Sequence, residues 1–570
     1  MNPIDWIVLL GTMLGIAAYG TWRTRHTDNL NTYLKGNHTT KWGTIGLSVM
    51  ATQASTITYL SLPGQAYESG IAFIQNYFGL PLALIIVCAV FLPIYRKLGV
   101  YTAYEYLGKR FDAKTRLLGA ALFLLQRGIQ AGITIYAPAI ILSTVLGWQL
   151  ELTIVFTGLL AIVYTVTGGS AAVNLTQKWQ MGVIFGGMIT AFGVLLWKLP
   201  PDAVHLAGAM GKLQAVDFTP DLERRYTFWS GMLGGLFLSL SYFGTDQSQV
   251  QRYIGGAALR EGRLGLMFNA VFKIPMQFFI VILGALLFVF YTFQPATPVF
   301  FNQTEWRRHV EGPDAAKFRA IEAKHTALHA QRAAAAKAWA DAREGGDPLI
   351  ETSSRAALVS AQKKIEAVRK EAKDALLAAD PRAKTKDSDY VFITFVLTQL
   401  PHGVIGLLIA VMFASALSSK AGELNALGTT STIDLWRHFR PLAAHDEARN
   451  VRNAKRFTAL WGVFAICFAL FVRLAENLIE YLNIVASIFY PALLGVFIVA
   501  FFLKHVGGTA VFWAAVAAQL VVVGIYLFGK FYPAHEIGYL WLNPIGCTAC
   551  VVFSLILQTM LPPRKVPVPA

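Results

Sequence analysis

The stretch Ser48-Val49-Met50-Ala51-Thr52-Gln53-Ala54-Ser55-Thr56-Ile57-Thr58-Tyr59, followed by Ser61-Leu62-Pro63-Gly64, lies within an apolar run at 42–66. Small and hydroxyl-bearing side chains crowd a place where a lipid-facing helix would carry Leu, Ile and Phe. Backbone at membrane depth must satisfy its own hydrogen bonds unless it lines a cavity inside the protein. A single Ser or Thr commonly bonds back to the preceding turn, but a cluster of them is poorly explained that way. The stretch predicts a broken membrane helix whose freed carbonyls face a cavity, which points to a transport path.

The rest of the chain fits a membrane body. Of 570 residues, 55% are hydrophobic and 14% are charged, too few charges to cover soluble domains, which carry about a quarter. Apolar runs near the roughly 20 residues needed to cross a bilayer fall at about 4–22, 42–66, 71–94, 117–146, 149–167, 176–197, 228–250, 264–292, 389–428, 454–473, 478–504, 508–530 and 538–561, thirteen in all. The first lacks a basic n-region and a cleavage site, and reads as a retained helix. Alternate loops carry the Lys and Arg, from Arg23, Arg25, Lys35 and Lys41, through Arg252, Arg260 and Arg263, to Arg564 and Lys565. By the positive-inside rule these loops are cytoplasmic, which puts the N-terminus outside and the C-terminus inside a bacterial inner membrane. The formal charge of +16 is then explained by loops facing anionic headgroups, and no nucleic-acid partner is expected. Cys88, Cys467, Cys547 and Cys550 all fall in spans, and the CxxC lacks partner ligands.

Charge concentrates in one place. Residues 302–388 hold 17 Lys/Arg and 13 Asp/Glu, and divide the chain into a transporter part at 1–301, an extracytoplasmic insertion at 302–388, and a second transporter part at 389–570. Within the insertion, about Pro313–Arg343 and Arg355–Ala379 are rich in helix formers, with a stop-and-turn signal at Gly345-Gly346-Asp347-Pro348 between them. Phe318, Ile321, Leu328, Ala335 and Trp339 stripe the first helix. Leu358, Ala361, Ile365, Val368, Ala372 and Leu376 stripe the second. An antiparallel hairpin follows, a spacer or a surface for an extracytoplasmic partner.

A second polar stretch, Ala414-Ser415-Ala416-Leu417-Ser418-Ser419-Lys420-Ala421-Gly422-Glu423-Leu424-Asn425, is expected to break in the same way. Broken-helix carbonyls plus two hydroxyls would hold a sodium ion without net charge. Lys420 and Glu423 are spaced to pair across a turn. Arg127, Lys178 and Lys273 are the other intramembrane cations. Arg127 sits mid-span, where an ionised group costs several kcal/mol; its reward is either a substrate carboxylate or a structural ion pair. Lys178 reads as an interfacial snorkeler. No HExxH or carboxylate pair lies in a span, so a membrane enzyme is not indicated. Small-residue runs such as Gly231–Gly235 are packing material.

The order of Gly168-Gly169-Ser170-Ala171-Ala172-Val173, Tyr242-Phe243-Gly244-Thr245-Asp246-Gln247 with Gln251-Arg252, and Ala414–Asn425 with Thr432-Ile433-Asp434 resembles the sodium:solute symporter family. That family contains sodium–sugar, sodium–proline and bacterial sodium–sialic acid transporters. The resemblance covers nearly everything outside 302–388. It implies an all-α polytopic fold with a leucine-transporter-like core of two inverted five-helix repeats, one extra N-terminal helix and two C-terminal ones. It implies a sodium site from backbone oxygens of Ala51, Ala54 and Ser415 with hydroxyls of Ser418 and Ser419. It also implies Tyr242 as an aromatic gate and substrate contacts from Ser55, Thr58, Gln75 or Asn76, Arg127 and Lys273. Family members with a second sodium carry an aspartate where this chain has Gln177, and hydroxyls where it has Ala421 and Gly422, so one sodium ion is expected.

The resulting expectation is sodium-coupled uptake of a small polar solute across the lipid bilayer, with a carboxylated sugar such as a sialic acid favoured by Arg127, Ser55 and Thr58. A neutral-sugar transporter is the alternative. A transporter-like sensor would call for a long cytoplasmic region, whereas nine residues follow Leu561.

Overall fold

The computed structural model describes residues 1–23, 41–53, 55–100, 102–254, 257–295, 297–440, 447–472 and 476–561, with the side chains of 16–23, 167–176, 178–179 and 447–448 outside that description. Ala54, the Lys178 side chain, the side chains of Gly168–Val173, and the basic residues Arg25, Lys35, Arg564 and Lys565 therefore lie outside the described residues. Among the described residues every regular element is helical.

The membrane helices run in chain order as α1 (Pro3–Arg23), α2 (Trp42–Gln53), α3 (Thr56–Ser69), α4 (Ile71–Leu98), α5 (Ala113–Leu146), α6 (Leu150–Lys198), α7 (Gly235–Gly244), α8 (Gln247–Ile254) and α9 (Leu259–Phe293). Two helices of the insertion follow, α10 (Ala315–Glu344) and α11 (Pro348–Ala379). The body resumes with α12 (Val404–Thr430), α13 (Glu447–Phe471), α14 (Leu478–Phe502), α15 (Gly508–Phe531) and α16 (Leu542–Met560).

Two membrane crossings are broken. The first lies between α2 and α3, where Ser55 has extended backbone at φ −69°, ψ 172°, as the opening stretch predicted. The second lies between α7 and α8, at Thr245-Asp246, inside what the sequence reading took as one span at 228–250. The expected break in Ala414–Asn425 does not occur, because α12 is continuous through it. Small polar residues permit a break without requiring one. In α12 they keep their backbone bonds and use their side chains.

The apolar run at 389–428 is also two elements. A short helix, Val391–Gln399, precedes α12, and the chain turns at Pro401-His402-Gly403, where Gly403 has φ +85°. Asp5 of α1 caps the new helix start, accepting from Gly403 N–H at 2.6 Å. A carboxylate there meets the positive end of the helix dipole.

The long helix α6 contains two passes. Ala161 packs in a cluster with Phe413 and Leu417, while Gln180 Oε1 accepts from Ser418 Oγ at 2.9 Å. On one straight helix those positions would stand roughly 28 Å apart, yet they meet adjacent turns of α12. Counted this way the described residues hold the thirteen crossings read from the sequence. Crossings two to six and seven to eleven form two sets of five, each opening with a broken helix. Among the long spans α12, in the second set, is the most enclosed, with 89% of its apolar stretch buried against 28% for α15.

The insertion forms the expected hairpin, with Gly346 at φ +72° in its turn. Phe318, Ile321, Trp339, Leu358, Ile365, Val368 and Leu376 are buried. His325, His329 and Arg332 of α10 are buried as well, which the apolar stripe did not foretell. His329 Nε2 and Arg332 Nη2 both lie 2.9 Å from the carbonyl oxygen of Tyr291, at the end of α9. The hairpin thus lies on the body, and Lys386 beyond it pairs with Glu68 of α3 at 2.8 Å. Burial pushes the His325 imidazole down to about 3, so it stays neutral.

Candidate functional site

A cavity of about 150 Å³ opens beside the first helix break. Thr52, Gln53, Ser55 and Thr58 line it from the break, Asn76 and Tyr77 from α4, Arg127, Gln130 and Thr134 from α5, and Tyr242 from α7. Lys273 from α9, Glu423 from α12, and Asn483 and Tyr490 from α14 add further polar groups, and apolar side chains such as Leu80, Leu238 and Ile479 fill the rest of the wall. Polar groups from both five-helix sets thus converge at the breaks. Backbone freed from helical bonding there faces enclosed space instead of lipid.

Individual hydroxyls behave differently. Thr52 Oγ1 donates to Ser48 O at 2.9 Å, the ordinary back-bond of a helix. Thr58 Oγ1 donates to Gln53 O at 2.9 Å and so reaches across the break. Thr56 Oγ1 donates to Met412 O and ties α3 to α12.

Arg127 is 4% exposed, and protein carboxylates hold it. Its Nη2 donates to Asp246 and, at 3.0 Å, to Tyr490 Oη; its Nη1 donates to Glu423 Oε1 at 3.4 Å. Tyr490 Oη in turn donates to Asp246 Oδ2 at 2.6 Å, and Ser248 Oγ to Asp246 Oδ1 at 2.6 Å. Of the two rewards weighed for Arg127, the structure displays the ion pair. Glu423 also takes Lys420 at 3.3 Å, the pairing expected from their spacing, and Lys420 Nζ reaches Ala131 O and Thr134 Oγ1 as well.

Lys273 differs. It is 2% exposed and lines the cavity, with its Nζ 5.5 Å from the centroid of the Tyr77 ring. Among the described residues it has no carboxylate within 4 Å and no hydrogen bond. An ammonium taken out of water without an anion costs several kcal/mol. Among the described residues the cavity and its immediate network therefore hold three basic side chains, Arg127, Lys420 and Lys273, against two carboxylates, Asp246 and Glu423.

Tyr242 lies under the Arg127 guanidinium, 5.7 Å from ring centroid to Cζ, and its hydroxyl accepts from Gln249 Nε2 at 2.7 Å. Gln75 is turned elsewhere. Its Nε2 donates to Ala72 O and Tyr226 O, and its Oε1 accepts from Asp217 N, so it pins a connecting segment and does not line the cavity. Its neighbour Asn76 does line it.

Beside the cavity is a void of about 20 Å³, bordered by Ser55, Thr56, Ser419, Lys420 and Glu423. That volume takes one water-sized particle. Among the described residues Ser419 Oγ is buried with no hydrogen-bond partner, and an orphaned buried hydroxyl costs about 1–3 kcal/mol. Ser418 Oγ shares its proton between Gln180 Oε1 at 2.9 Å and Ser415 O at 3.1 Å. Ala51 is buried in the last turn of α2, two residues before its end at Gln53. Of the five sodium ligands the resemblance implied, Ser419 borders this void, Ala51, Ser415 and Ser418 do not, and Ala54 lies outside the described residues.

Sequence reasoning missed Asp246, Thr134, Asn483 and Tyr490 as members of this site. Asp246 carried a signal, since an acid at membrane depth is a functional suspect by default. Tyr490 carried none.

A model of the sodium:solute symporter family matches residues 33–303 and 373–517. The human sodium/iodide cotransporter is 34% identical over 250 residues, 44% of this chain and 39% of that protein. Human sodium-coupled monocarboxylate transporter 1 is 33% identical over 272 residues, 47% of this chain and 45% of that one. The chain thus matches less than half the length of these two relatives. The sodium/sialic acid symporter SiaT of Proteus mirabilis is 24% identical over 573 residues, 99% of this chain and 96% of that protein. A solved Na+-coupled sialic acid symporter, in a substrate-bound outward-open state, superposes with a TM-score of 0.72 at 21% identity, covering 99% of this chain and 100% of that one. That likeness gives the same leucine-transporter-like fold. With the family model matching well over half of its residues, the chain belongs to the sodium:solute symporter family, whose members are transporters rather than enzymes.

Proposed function

We propose that this protein couples inward sodium movement to uptake of a small organic anion, most specifically a carboxylated sugar such as a sialic acid. The observation that carries the reading is Lys273, a buried cation on the cavity wall with no anionic partner among the described residues. A substrate carboxylate would complete its coordination, while Ser55, Thr58 and Asn76 offer polar groups to the rest of the solute. Arg127, already shared by Asp246 and Glu423, holds the wall and presents the Tyr242 gate. The relatives' names point the same way: iodide and monocarboxylates are anions, and sialic acid is a sugar acid.

In this reading the sodium ion binds Ser418 and Ser419 hydroxyls with carbonyls of Ala51, Ala54 and Ser415. Its binding at the helix break orders Ser55 and Thr58 for the substrate, and the coupling is reciprocal. The chain would lie in an inner membrane, with the insertion outside and both basic loops and C-terminus in the cytoplasm.

One sodium with one monoanion moves no net charge, so the membrane potential, about 2.3 kcal/mol per charge per 100 mV, does not drive the cycle. With a neutral sugar it would. Uptake of labelled sugar acids and hexoses into proteoliposomes, with and without an imposed potential, is the test. Sugar-acid uptake that needs sodium and ignores the potential is expected. Equal uptake in sodium, lithium and potassium would overturn sodium coupling, and potential-driven uptake of hexoses alone would favour the neutral-sugar alternative.

A further inference from the structure

The tip of the hairpin carries an apolar pair in the open. Leu349 is 82% exposed and Ile350 53% exposed. Both stand in the first turn of α11, where Asp347 accepts from Leu349 N–H at 2.9 Å and Ile350 N–H at 3.4 Å. A carboxylate cap of this kind fixes the start of a helix, so the two side chains are held outward on ordered backbone.

Three contacts show where the tip points. Arg332 meets the carbonyl of the buried Tyr291 at the end of α9. About 16 Å further along α10, Arg343 Nη1 donates to Asp202 Oδ1 at 2.8 Å. On the returning arm, Arg355 Nε donates to Ala209 O at 3.0 Å. Asp202 closely follows the end of α6 at Lys198, and the last turn of α6 carries Trp197, 84% exposed, beside the exposed Leu196. A Trp at the end of a span marks the headgroup level of the bilayer. The hairpin therefore runs from the interior of the body to its lipid-facing rim, and Leu349 lies about 9 Å beyond Arg355.

The charges flanking the pair are mostly of one sign. Asp341, Glu344, Asp347 and Glu351 have no salt bridge among the described residues, while the nearby cations Arg343 and Arg355 are turned back to the body. Anionic headgroups repel such a cluster and ammonium groups attract it. We propose that the hairpin tip rests on the bilayer itself, with Leu349 and Ile350 entering the boundary between headgroups and acyl chains and the carboxylates meeting the ammonium groups of amine-bearing zwitterionic lipid. Continuity identifies the occupant: the pair extends the lipid-facing surface of α6 past Trp197, at the height where that helix leaves the membrane. The insertion then has two footings, one on the body and one on lipid, and neither depends on which solute is carried.

The experiment places one environment-sensitive fluorophore at Leu349→Cys and, as control, at Ser360→Cys, an exposed site about 16 Å back along α11. Both are made on a Cys467→Ser background, because Cys467 is the exposed native thiol. The full chain is reconstituted at one copy per nanodisc, in phosphatidylethanolamine mixed with phosphatidylglycerol or in phosphatidylglycerol alone, each with a lipid bearing a nitroxide near its headgroup. In the ethanolamine lipid, quenching at 349 is expected to exceed that at 360 at least threefold, and to fall by half or more in phosphatidylglycerol alone. Equal quenching at the two sites overturns the lipid footing. Equal quenching at 349 in the two lipids overturns the headgroup assignment. A blue-shifted emission at 349 that arises only when two copies share a disc, without quenching, makes the occupant a second copy of the chain and also overturns the proposal.

Discussion

Arg127 and Lys273 face one cavity from two walls, and their surroundings are opposites. The α5 wall is saturated: Arg127 meets Asp246, Glu423 and Tyr490, and Glu423 is shared with Lys420. The α9 wall is unsatisfied, since Lys273 has a ring face at 5.5 Å and no anion among the described residues. A charge that already has its counter-charge is part of the scaffold. One that lacks it is where an anionic ligand gains most, because that ligand removes a desolvation cost already present in the empty protein. Mid-span position and the family resemblance had put Arg127 forward as either a carboxylate receptor or one half of an ion pair; its partners display the ion pair.

The largest effect should come from breaking the saturated wall. Arg127→Ala leaves Asp246 and Glu423 buried without their cation, a loss of about 3–5 kcal/mol for a broken buried pair. It should appear as a lowered melting temperature of the purified protein without ligand. An unaltered melting temperature would show that the wall does not depend on this pair. Arg127→Lys should rescue only part, since a point charge cannot serve several acceptors as a planar fork does.

Lys273→Met sharpens the other side. It should leave the melting temperature equal or higher, because an unpaired buried ammonium is gone, and raise KM for acidic substrates by roughly tenfold or more, the worth of a charge-assisted hydrogen bond at about 1.5–3 kcal/mol. An unchanged KM would remove Lys273 as the anion's partner. Ser419→Ala should act on sodium alone. Losing one hydroxyl worth about 1 kcal/mol should raise the half-saturating sodium concentration about fivefold, and a sodium response identical to wild type would sink the ion-site assignment. The smallest effect is expected far from the cavity. Lys386→Met, which removes the partly exposed pair with Glu68, should cost under about 1 kcal/mol and leave KM in place; a KM change would mean that the insertion communicates with the cavity.

The two Ser- and Ala-rich stretches make a similar point about legibility. Residues 48–64 break as their composition suggested, whereas 414–425 do not. The second break occurs at Thr245-Asp246, in a segment that had looked like an ordinary span. Composition marks where a helix tolerates cavity-facing polarity. Whether the backbone opens depends on what replaces its hydrogen bonds, and those groups come from other helices.

By itself the sequence determined the crossings, the hairpin with its turn at Gly346, the first helix break and the pairing of Lys420 with Glu423. Each of these depends on residues close along the chain, whose apolar periodicity, turn chemistry or helical spacing is local. Tertiary structure alone decided that Arg127 is spoken for, that Gln75 turns away while Asn76 faces the cavity, and that Arg252 is buried. Arg127 meets Asp246 and Glu423 across 119 and 296 positions, and Arg252 meets Ser48 across 204. A buried charge must find its counter-charge or dipoles wherever packing brings them, and no local pattern names a partner that distant.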